Sequence, residues 1–281
     1  ELARWLMSKS NPLVGRVTAN RAWREFFGVG IVNTAGDFGT QSEPPTHRSL
    51  IDFLAIDVED HEWSMKRLHR QIALSATYGQ QIGAPPAVDP ENRLLSVFPA
   101  RRLSAEQIRD SFLSAAGLLS ERIGGPSVYP PQPASVMQMA YGKPRWSTSK
   151  GADRYRRSIY TFSKRTAPFA AYATFDGPTG ETCLARRSRS TTPLQALTLL
   201  NDAMYLEIAE GLANQAIRDL GEAASDEQIA RQIFRRLLIR EPDDRELSAI
   251  TSFADSLEQG QDRWMLVARA LMNTDEAISV P

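Results

Sequence analysis

The helical spacing of apolar residues stops once in this chain, between residues 126 and 190, and this interruption limits the possible folds. On either side, apolar residues recur every three or four positions behind polar capping residues, which is typical of amphipathic helices. Between them, PSVYPPQP is too rich in proline for a regular element, and RYRRSIYTFSKR alternates like a short strand. The sequence predicts a mainly α protein, with two helical lobes joined by an irregular, basic insertion that holds at most one small β-hairpin.

The expected segments are an N-terminal helical lobe at 1–125, the basic insertion at 126–190 and a C-terminal helical lobe at 191–281. We expect them to form one compact domain, because 281 residues of which 42% are hydrophobic can bury a substantial core. Helix stops are expected at Gly28 and at Gly124 with Gly125. The predicted helix starts are Asn11 followed by Pro12, Thr46, Ser64, Ser104 with Gln107, Thr191 or Thr192 followed by Pro193, and Ser225 with Gln228.

Composition excludes several classes of protein. The 33 basic and 33 acidic residues balance, which argues against a surface built for nucleic acid, and no apolar run approaches the roughly 20 residues of a membrane span. One cysteine, without a C-x-x-C-H motif, gives neither a zinc cluster nor a covalent haem site. The histidines, His47, His61 and His69, do not form a metal-binding helix pattern. We therefore expect no metal and no cofactor in this chain.

Charge is distributed unevenly. Residues 143 to 189 contain eleven basic side chains against three acidic ones, a net charge of +8, whereas residues 207 to 262 contain six arginines against thirteen acids, a net charge of −7. Arg186, Arg187 and Arg189 directly precede the helix that Thr191 or Thr192 caps, and the N-terminus of a helix is already electropositive. The pattern predicts an anion-binding site with these arginines, both threonines, Gln195 and Asn201.

Other readings of these residues stay open. Asp176, Glu181 or Asp202 could neutralise the arginines internally, or two of these carboxylates could act as acid and base on a sugar. Cys183 could be a thiolate activated by the arginines, but a lone cysteine is more often a small buried residue. On RYRRSIYTFSKR, we expect Tyr160 and Phe162 to pack inward and Arg156 and Arg157 to stay solvated. Secondary candidates for a polar site are Asn20, Arg21 and Arg24.

Several phrases, in the same order over nearly the whole chain, resemble the planctomycete-specific domain one family, a domain of unknown function. They are NPLVGRVTANRAWREFFGVGIV, GDFGTQSEPPTHRSLIDFLA, WSMKRLHRQIALSATYGQ, DPENRLL, RRLSAEQIRDSFLSAAG, YRRSIYTFSKR and RRSRSTTPLQALTLLND. The resemblance implies the C-terminal part of a large exported, multidomain protein, an extracytoplasmic setting and a link to polysaccharide use. It also implies that any haem belongs to a neighbouring cytochrome-like domain, and it supplies no catalytic residue.

These observations predict a non-enzymatic binding module whose arginines recognise an anionic group. The partner would be a sulfated or acidic sugar, or the acidic face of a companion domain of the same polypeptide. The alternatives are a carbohydrate-active enzyme that uses paired carboxylates, and a structural adaptor that docks a cytochrome-like domain.

Overall fold

The computed structural model describes residues 1–133, 135–136, 146–165, 167–221, 223–258, 260 and 262–280. Helices account for most of its regular structure, and the described strands are two residues long, so the predicted mainly α class is confirmed. The chain forms two compact units, residues 1–101 and residues 102–280. The first unit contains the helices α1 (Leu2–Leu6), α2 (Val14–Phe27), α3 (Arg48–Asp60) and α4 (Met65–Ala73).

In the first unit, α2 packs against α3 and α4. The buried faces of these helices carry the apolar residues that the helical spacing brings together, and Gly28 ends α2 in the left-handed conformation, as predicted. Large side chains of this core are Trp23, Phe27, Ile51, Leu54, Leu68, Ile72 and Phe98.

Two predicted helix starts in the first unit are wrong. Asn11 does not cap α2, because its side chain accepts a hydrogen bond from the backbone of Leu13 and the helix begins at Val14. Thr46 lies one residue before the N-cap of α3, and its backbone N–H donates to Ile31 instead. Ser64 does cap α4 through the backbone N–H of Arg67.

The second unit is built around a long central helix. α8 (Ala203–Leu220) packs along α11 (Asp262–Met272) and α9 (Asp226–Leu238), and α10 (Asp244–Ser256) covers α9 and α11. The remaining elements are the strands β1 (Arg101–Arg102) and β2 (Ser279–Val280), which pair with each other, α5 (Ala105–Ala115), α6 (Ala170–Thr174), α7 (Pro193–Asn201) and three short 3-10 helices at Gly151–Tyr155, Ser158–Tyr160 and Glu276–Ile278.

α5 belongs to the second unit, although the sequence assigns it to the N-terminal lobe. Its apolar stripe of Ile108, Phe112 and Leu113 is part of the same core as α8 and α9. The capping box of Ser104 and Gln107 starts it as predicted, but it ends at Ala115, well before Gly124. The boundary between the two units therefore lies before α5, because α5 packs into the core of the second unit.

The segment TTPLQALTLLNDAMYLEIAEGLANQAI predicts one helix with a buried stripe of Leu194, Leu197, Leu200 and Met204 or Tyr205. It forms two helices, because the backbone of Asp202 is extended (ψ 133°) and ends α7. The expected stripe is wrong for its first two members, whereas Met204 and Tyr205 are buried as predicted. Leu194 and Leu197 are exposed, whereas Leu199 and Gln195 are buried. The break rotates α7 relative to the pattern that a continuous helix would have.

The predicted strand and hairpin in the insertion are also absent from its described part. Residues Ser158–Tyr160 form a 3-10 turn, and Thr161 makes a single isolated bridge to Val128. Arg157 is exposed as expected, but Arg156 is fully buried, contrary to the prediction. The reason is that its guanidinium donates to the carbonyls of Arg122, Gly124 and Pro126. These carbonyls take the place of the water molecules that hydrate an exposed guanidinium.

Candidate functional site

A cleft of about 520 Å³ opens in the second unit along α5, and we call it the α5 cleft. Its walls combine carboxylates, hydroxyls, an amide and a guanidinium with a few apolar side chains. This mixture is typical of a site for a polar ligand that is recognised through hydrogen bonds. The lining residues are Leu103, Glu106, Gln107, Asp110, Ser111, Arg157, Ser158, Ile159, Thr161, Ser163, Tyr172 and Pro178.

α5 supplies both acids of the cleft. Glu106 and Asp110 are four residues apart, which places them on one side of the helix, while Ile108 and Phe112 turn into the core. The amphipathic pattern that folds α5 onto α8 therefore also directs these two carboxylates into the cleft.

The loop between α6 and α7, residues 175–192, carries Arg186, Arg187 and Arg189, and we call it the arginine-rich loop. Arg187 connects this loop to the edge of the α5 cleft. Its Nη1 lies 3.0 Å from both carboxylate oxygens of Glu106, and its side chain remains partly exposed. Pro178, from the start of the same loop, lines the cleft. One of the predicted anion-binding residues is thus held beside a cavity by an ion pair.

Asp110 fixes the opposite wall. Its Oδ1 accepts a hydrogen bond of 2.8 Å from the backbone N–H of Ser158, and its Oδ2 lies 3.4 Å from the Nε of Arg157. The Arg157 side chain is 60% exposed, and the hydrogen bonds and ion pairs of the described residues occupy none of its terminal nitrogens. Arg157 therefore offers a guanidinium to a ligand in the cleft.

A fully buried arginine, Arg109, stabilises the segment that forms this wall. Arg109 donates to the carbonyls of Arg156 and Arg154 and to the hydroxyl of Ser158, and burial lowers the pKa of its guanidinium. Tyr172 donates to the carbonyl of Ser158, and burial raises the pKa of its hydroxyl. These bonds hold the segment that carries Arg157 in place.

A second polar network locks the loop in front of α7. Arg102 donates to Asp176, to the carbonyl of Ser190 and, at 2.6 Å, to the side chain of Gln195. Asp176 also accepts from the backbone and hydroxyl of Ser190 at 2.8 and 2.9 Å. Burial alone would raise the pKa of Asp176, but the hydrogen bonds from Ser190 and Arg102 hold it below its ordinary value.

Several predicted ligand-binding residues serve α7 itself. Thr192 and Gln195 form a capping box, and the Gln195 amide is buried and donates to the carbonyl of Thr174. Thr191 is exposed and is not the cap. Asn201, at the other end of α7, donates to the carbonyl of Leu197. The helix therefore does not gather these four side chains around one external ligand.

The three arginines and the remaining acids lie in different environments. Arg186 and Arg189 are exposed, like Glu181. Asp202 is the buried N-cap of α8, and burial raises the pKa of its carboxyl although the backbone N–H of Met204 lowers it in part. Cys183 is exposed, so the expectation of a buried cysteine is wrong.

The secondary candidates lie in the first unit. Asn20 is buried and exchanges two hydrogen bonds with the backbone of Val32, at 3.0 and 2.9 Å, so it ties α2 to the following loop. Arg21 is exposed, and Arg24 lies 3.6 Å from Glu25.

The comparison with protein-family models gives one result. Residues 1–254 match the family described as "PSD1: Protein of unknown function (DUF1553)". The chain belongs to this family. Neither the curated proteins nor the solved structures contain a significant match.

In this DUF1553 domain, sequence reasoning missed the two acids of the α5 cleft and the buried arginines. A signal for Glu106 and Asp110 existed, because both lie off the apolar stripe of a well-capped helix and are four residues apart. Arg102 and Arg109 gave no such signal, since their hydrogen-bond partners are backbone and side-chain groups between 45 and 95 residues away.

The described part of this domain lacks a cluster of metal ligands and a helix that could span a membrane. No group of three or more His, Cys, Asp or Glu side chains in those ranges could hold a metal ion. None of the described helices combines the length and the apolar character that crossing a bilayer requires.

Proposed function

We propose that this domain is a non-catalytic binding module that takes an acidic oligosaccharide, sulfated or uronic, in the α5 cleft. The observation that carries the proposal is a cleft of about 520 Å³ that is lined by Arg157, a guanidinium with unused donors. The arginine-rich loop reaches this cleft through Arg187, which pairs with the lining residue Glu106.

The lining suits a sugar with a negative group. Gln107, Ser111, Thr161 and Ser163 present amide and hydroxyl groups that can exchange hydrogen bonds with sugar hydroxyls. A guanidinium binds sulfate or carboxylate through two parallel N–H donors, which gives both direction and strength. The Arg157 donors would bind the anionic group, and the hydroxyls and amide would orient the ring.

Glu106 competes with the ligand for Arg187 in this scheme. Arg187 is paired with Glu106, a residue that lines the cleft, so an incoming anion has to displace or share this ion pair to reach Arg187. Because a surface ion pair contributes at most about 1 kcal/mol, a sulfate group can compete with it. The pair thus positions Arg187 and also moderates its affinity.

Calorimetric titration with sulfated oligosaccharides tests the proposal. Removing Arg157 (Arg157→Ala) should weaken binding by roughly tenfold, because one charge-assisted hydrogen bond contributes about 1.5–3 kcal/mol. Arg235→Ala is the matched control, since Arg235 is also an exposed arginine paired with a carboxylate, Glu241. Equal affinity of the Arg157→Ala and Arg235→Ala variants would contradict the proposal.

Two substitutions at the ion pair should act in opposite directions. Glu106→Gln should strengthen binding by up to about fivefold, whereas Arg187→Ala should weaken it. Both effects should shrink as the salt concentration rises, because ions screen exposed charges. A structural role of the pair alone would make both variants weaker.

Other outcomes would assign a different function. Turnover of a saccharide that is lost on Asp110→Asn would indicate a carbohydrate-active enzyme. Binding of an acidic companion domain without any saccharide would indicate an adaptor. Polymers of sulfated or uronic sugars lie outside the cytoplasm, so an extracytoplasmic location is part of the proposal, and cell fractionation of the native host checks it.

A further inference from the structure

A second cleft, of about 810 Å³, lies between the C-terminal half of α5, the segment 119–123 and the end of α9, and we call it the α9 cleft. It shares Asp110, Ser111 and Arg157 with the α5 cleft but has a different character. Its outer part is formed by the aliphatic side chains of Ile123 and Ile239, each 90% exposed.

Ile239 has a strained backbone. It forms the C-cap of α9 in the left-handed conformation, with φ 59° and ψ 22°, where glycine or asparagine is usual. A β-branched residue rarely adopts this conformation, because its Cβ crowds the neighbouring carbonyl. The chain here combines an unfavourable backbone with an apolar side chain in water, and neither feature contributes to the stability of the unit.

Ile123 is held outward by a rigid loop. The buried guanidinium of Arg156 donates to the carbonyls of Arg122 and Gly124, on either side of Ile123. The hydroxyl of Tyr160 accepts from the backbone N–H of Gly124 at 2.8 Å. The backbone on both sides of Ile123 is thus fixed before any partner arrives, so little backbone entropy would be lost when its side chain is covered.

The charges of the α9 cleft limit what can cover these isoleucines. Glu121 and Arg157 lie next to each other, because the preceding residues Ser120 and Arg156 form a parallel bridge. Glu121 makes no ion pair within the described residues, and Arg157 keeps free donors. The lining holds two acids, Asp110 and Glu121, and two arginines, Arg157 and Arg236, so it has no net charge that would attract an anionic membrane surface. An isoleucine also has no flat ring on which a sugar could stack.

We propose that the α9 cleft is a docking surface for a polypeptide segment of a partner protein. The segment places an aliphatic or aromatic side chain against Ile123 and Ile239, and it carries a basic and an acidic residue that face Glu121 and Arg157. Apolar anchors surrounded by a polar rim are the usual anatomy of a protein interface. Both clefts share Arg157, so a bound saccharide and a docked segment would compete for its donors, but Ile123 and Ile239 line only the α9 cleft.

Selection of short random peptides displayed on phage against the 281-residue chain tests the docking surface. The enriched peptides should share an apolar residue flanked by opposite charges. Measured by fluorescence anisotropy, their affinity should fall about tenfold for Ile123→Ser. Val88→Ser is the matched control, because Val88 is an equally exposed aliphatic residue in the first unit.

The Ile239→Gly variant distinguishes an effect on peptide binding from an effect on folding. This variant should unfold at a higher temperature, because glycine relieves the left-handed backbone, and it should still bind the peptides more weakly. The proposal would be overturned if both isoleucine variants bound the peptides as tightly as the original chain does. It would also be overturned if the chain bound vesicles of neutral phospholipid and did not bind peptides. Saccharide titration of the same variants should match the original chain.

Discussion

At the scale of single residues, the pKa values of two aspartates are shifted in opposite directions, although burial by itself raises both. Asp176 is bound by Arg102 and Ser190, so its pKa lies below the ordinary value of 3.8. Asp202 is buried with one backbone donor, Met204, and its pKa lies above that value. The first carboxylate stabilises the fold when it is charged, whereas the second one costs free energy when it is charged.

Asp176→Asn should destabilise the second unit at pH 7 by about 1–3 kcal/mol, because it leaves the buried Arg102 without its counter-charge. Asparagine tolerates the left-handed backbone of this position (φ 59°), so the change tests the charge and not the turn. Urea unfolding measures the loss, and Glu181→Gln, an exposed acid five residues on, should have little effect.

The pH dependence of this effect follows from the lowered pKa. The stability contributed by Asp176 is fully present above 3.8 and is lost as the pH falls through its lower folded value. The difference between the two proteins should therefore shrink as the pH falls below 3.8. A difference that stays constant with pH would show that the charge is not its cause.

Asp202→Asn should have the opposite sign. Asparagine caps a helix as well as aspartate does, and the substitution removes a buried negative charge, so stability at pH 7 should rise by up to about 1 kcal/mol. Because the folded pKa of Asp202 is raised, this gain should be complete above that pKa and vanish as the pH falls below 3.8. Lower stability of the variant in urea at pH 7 would show that the charge at the α8 N-terminus is favourable.

At the scale of elements, the start of α7 is set by a single threonine. The sequence offers Thr191 and Thr192 as equal candidates, and the capping box of Thr192 with Gln195 decides between them. Gln195 then also receives Arg102, so the cap links α7 to the polar network of the loop. Loss of the cap should therefore weaken more than one turn of helix.

Thr192→Ala should lower the free energy of unfolding by about 1 kcal/mol, whereas the neighbouring Thr191→Ala should change it by less than about 0.5 kcal/mol. Urea unfolding, followed by circular dichroism, measures both variants under the same conditions. Similar losses for the two variants would mean that the N–H groups of α7 have another partner.

At the scale of the whole molecule, the apolar core of the second unit is formed entirely from residues between 103 and 278. Every residue that lines the α5 cleft also belongs to this unit. The unit therefore carries both its own core and the complete candidate site.

A fragment from residue 101 to residue 281 should fold cooperatively and bind sulfated oligosaccharides within about twofold of the whole chain, since the buried area that stabilises it is internal. Circular dichroism and calorimetry test the two parts of this prediction. A fragment that folds but does not bind would show that the first unit contributes to the site.

The sequence by itself determined the mainly α class and the helix starts that depend on local chemistry. Ser64, Ser104 and Ser225 cap their helices as predicted, and Thr192 is one of the two predicted candidates, because a cap needs only a side chain and an N–H group two or three residues away. The apolar stripe of α5 was also readable, because its spacing is local.

Only the tertiary structure decided where the charges go. The hydrogen-bond partners of Arg102, Arg109 and Arg156 lie between 30 and 95 residues away, and nothing local distinguishes these buried arginines from the exposed Arg157. Side chains are brought together by the packing of α5 on α8, and only this packing turns Glu106 and Asp110 towards one cleft. Helix caps are short-range contacts, whereas a binding cleft depends on which distant segments of the chain pack next to each other.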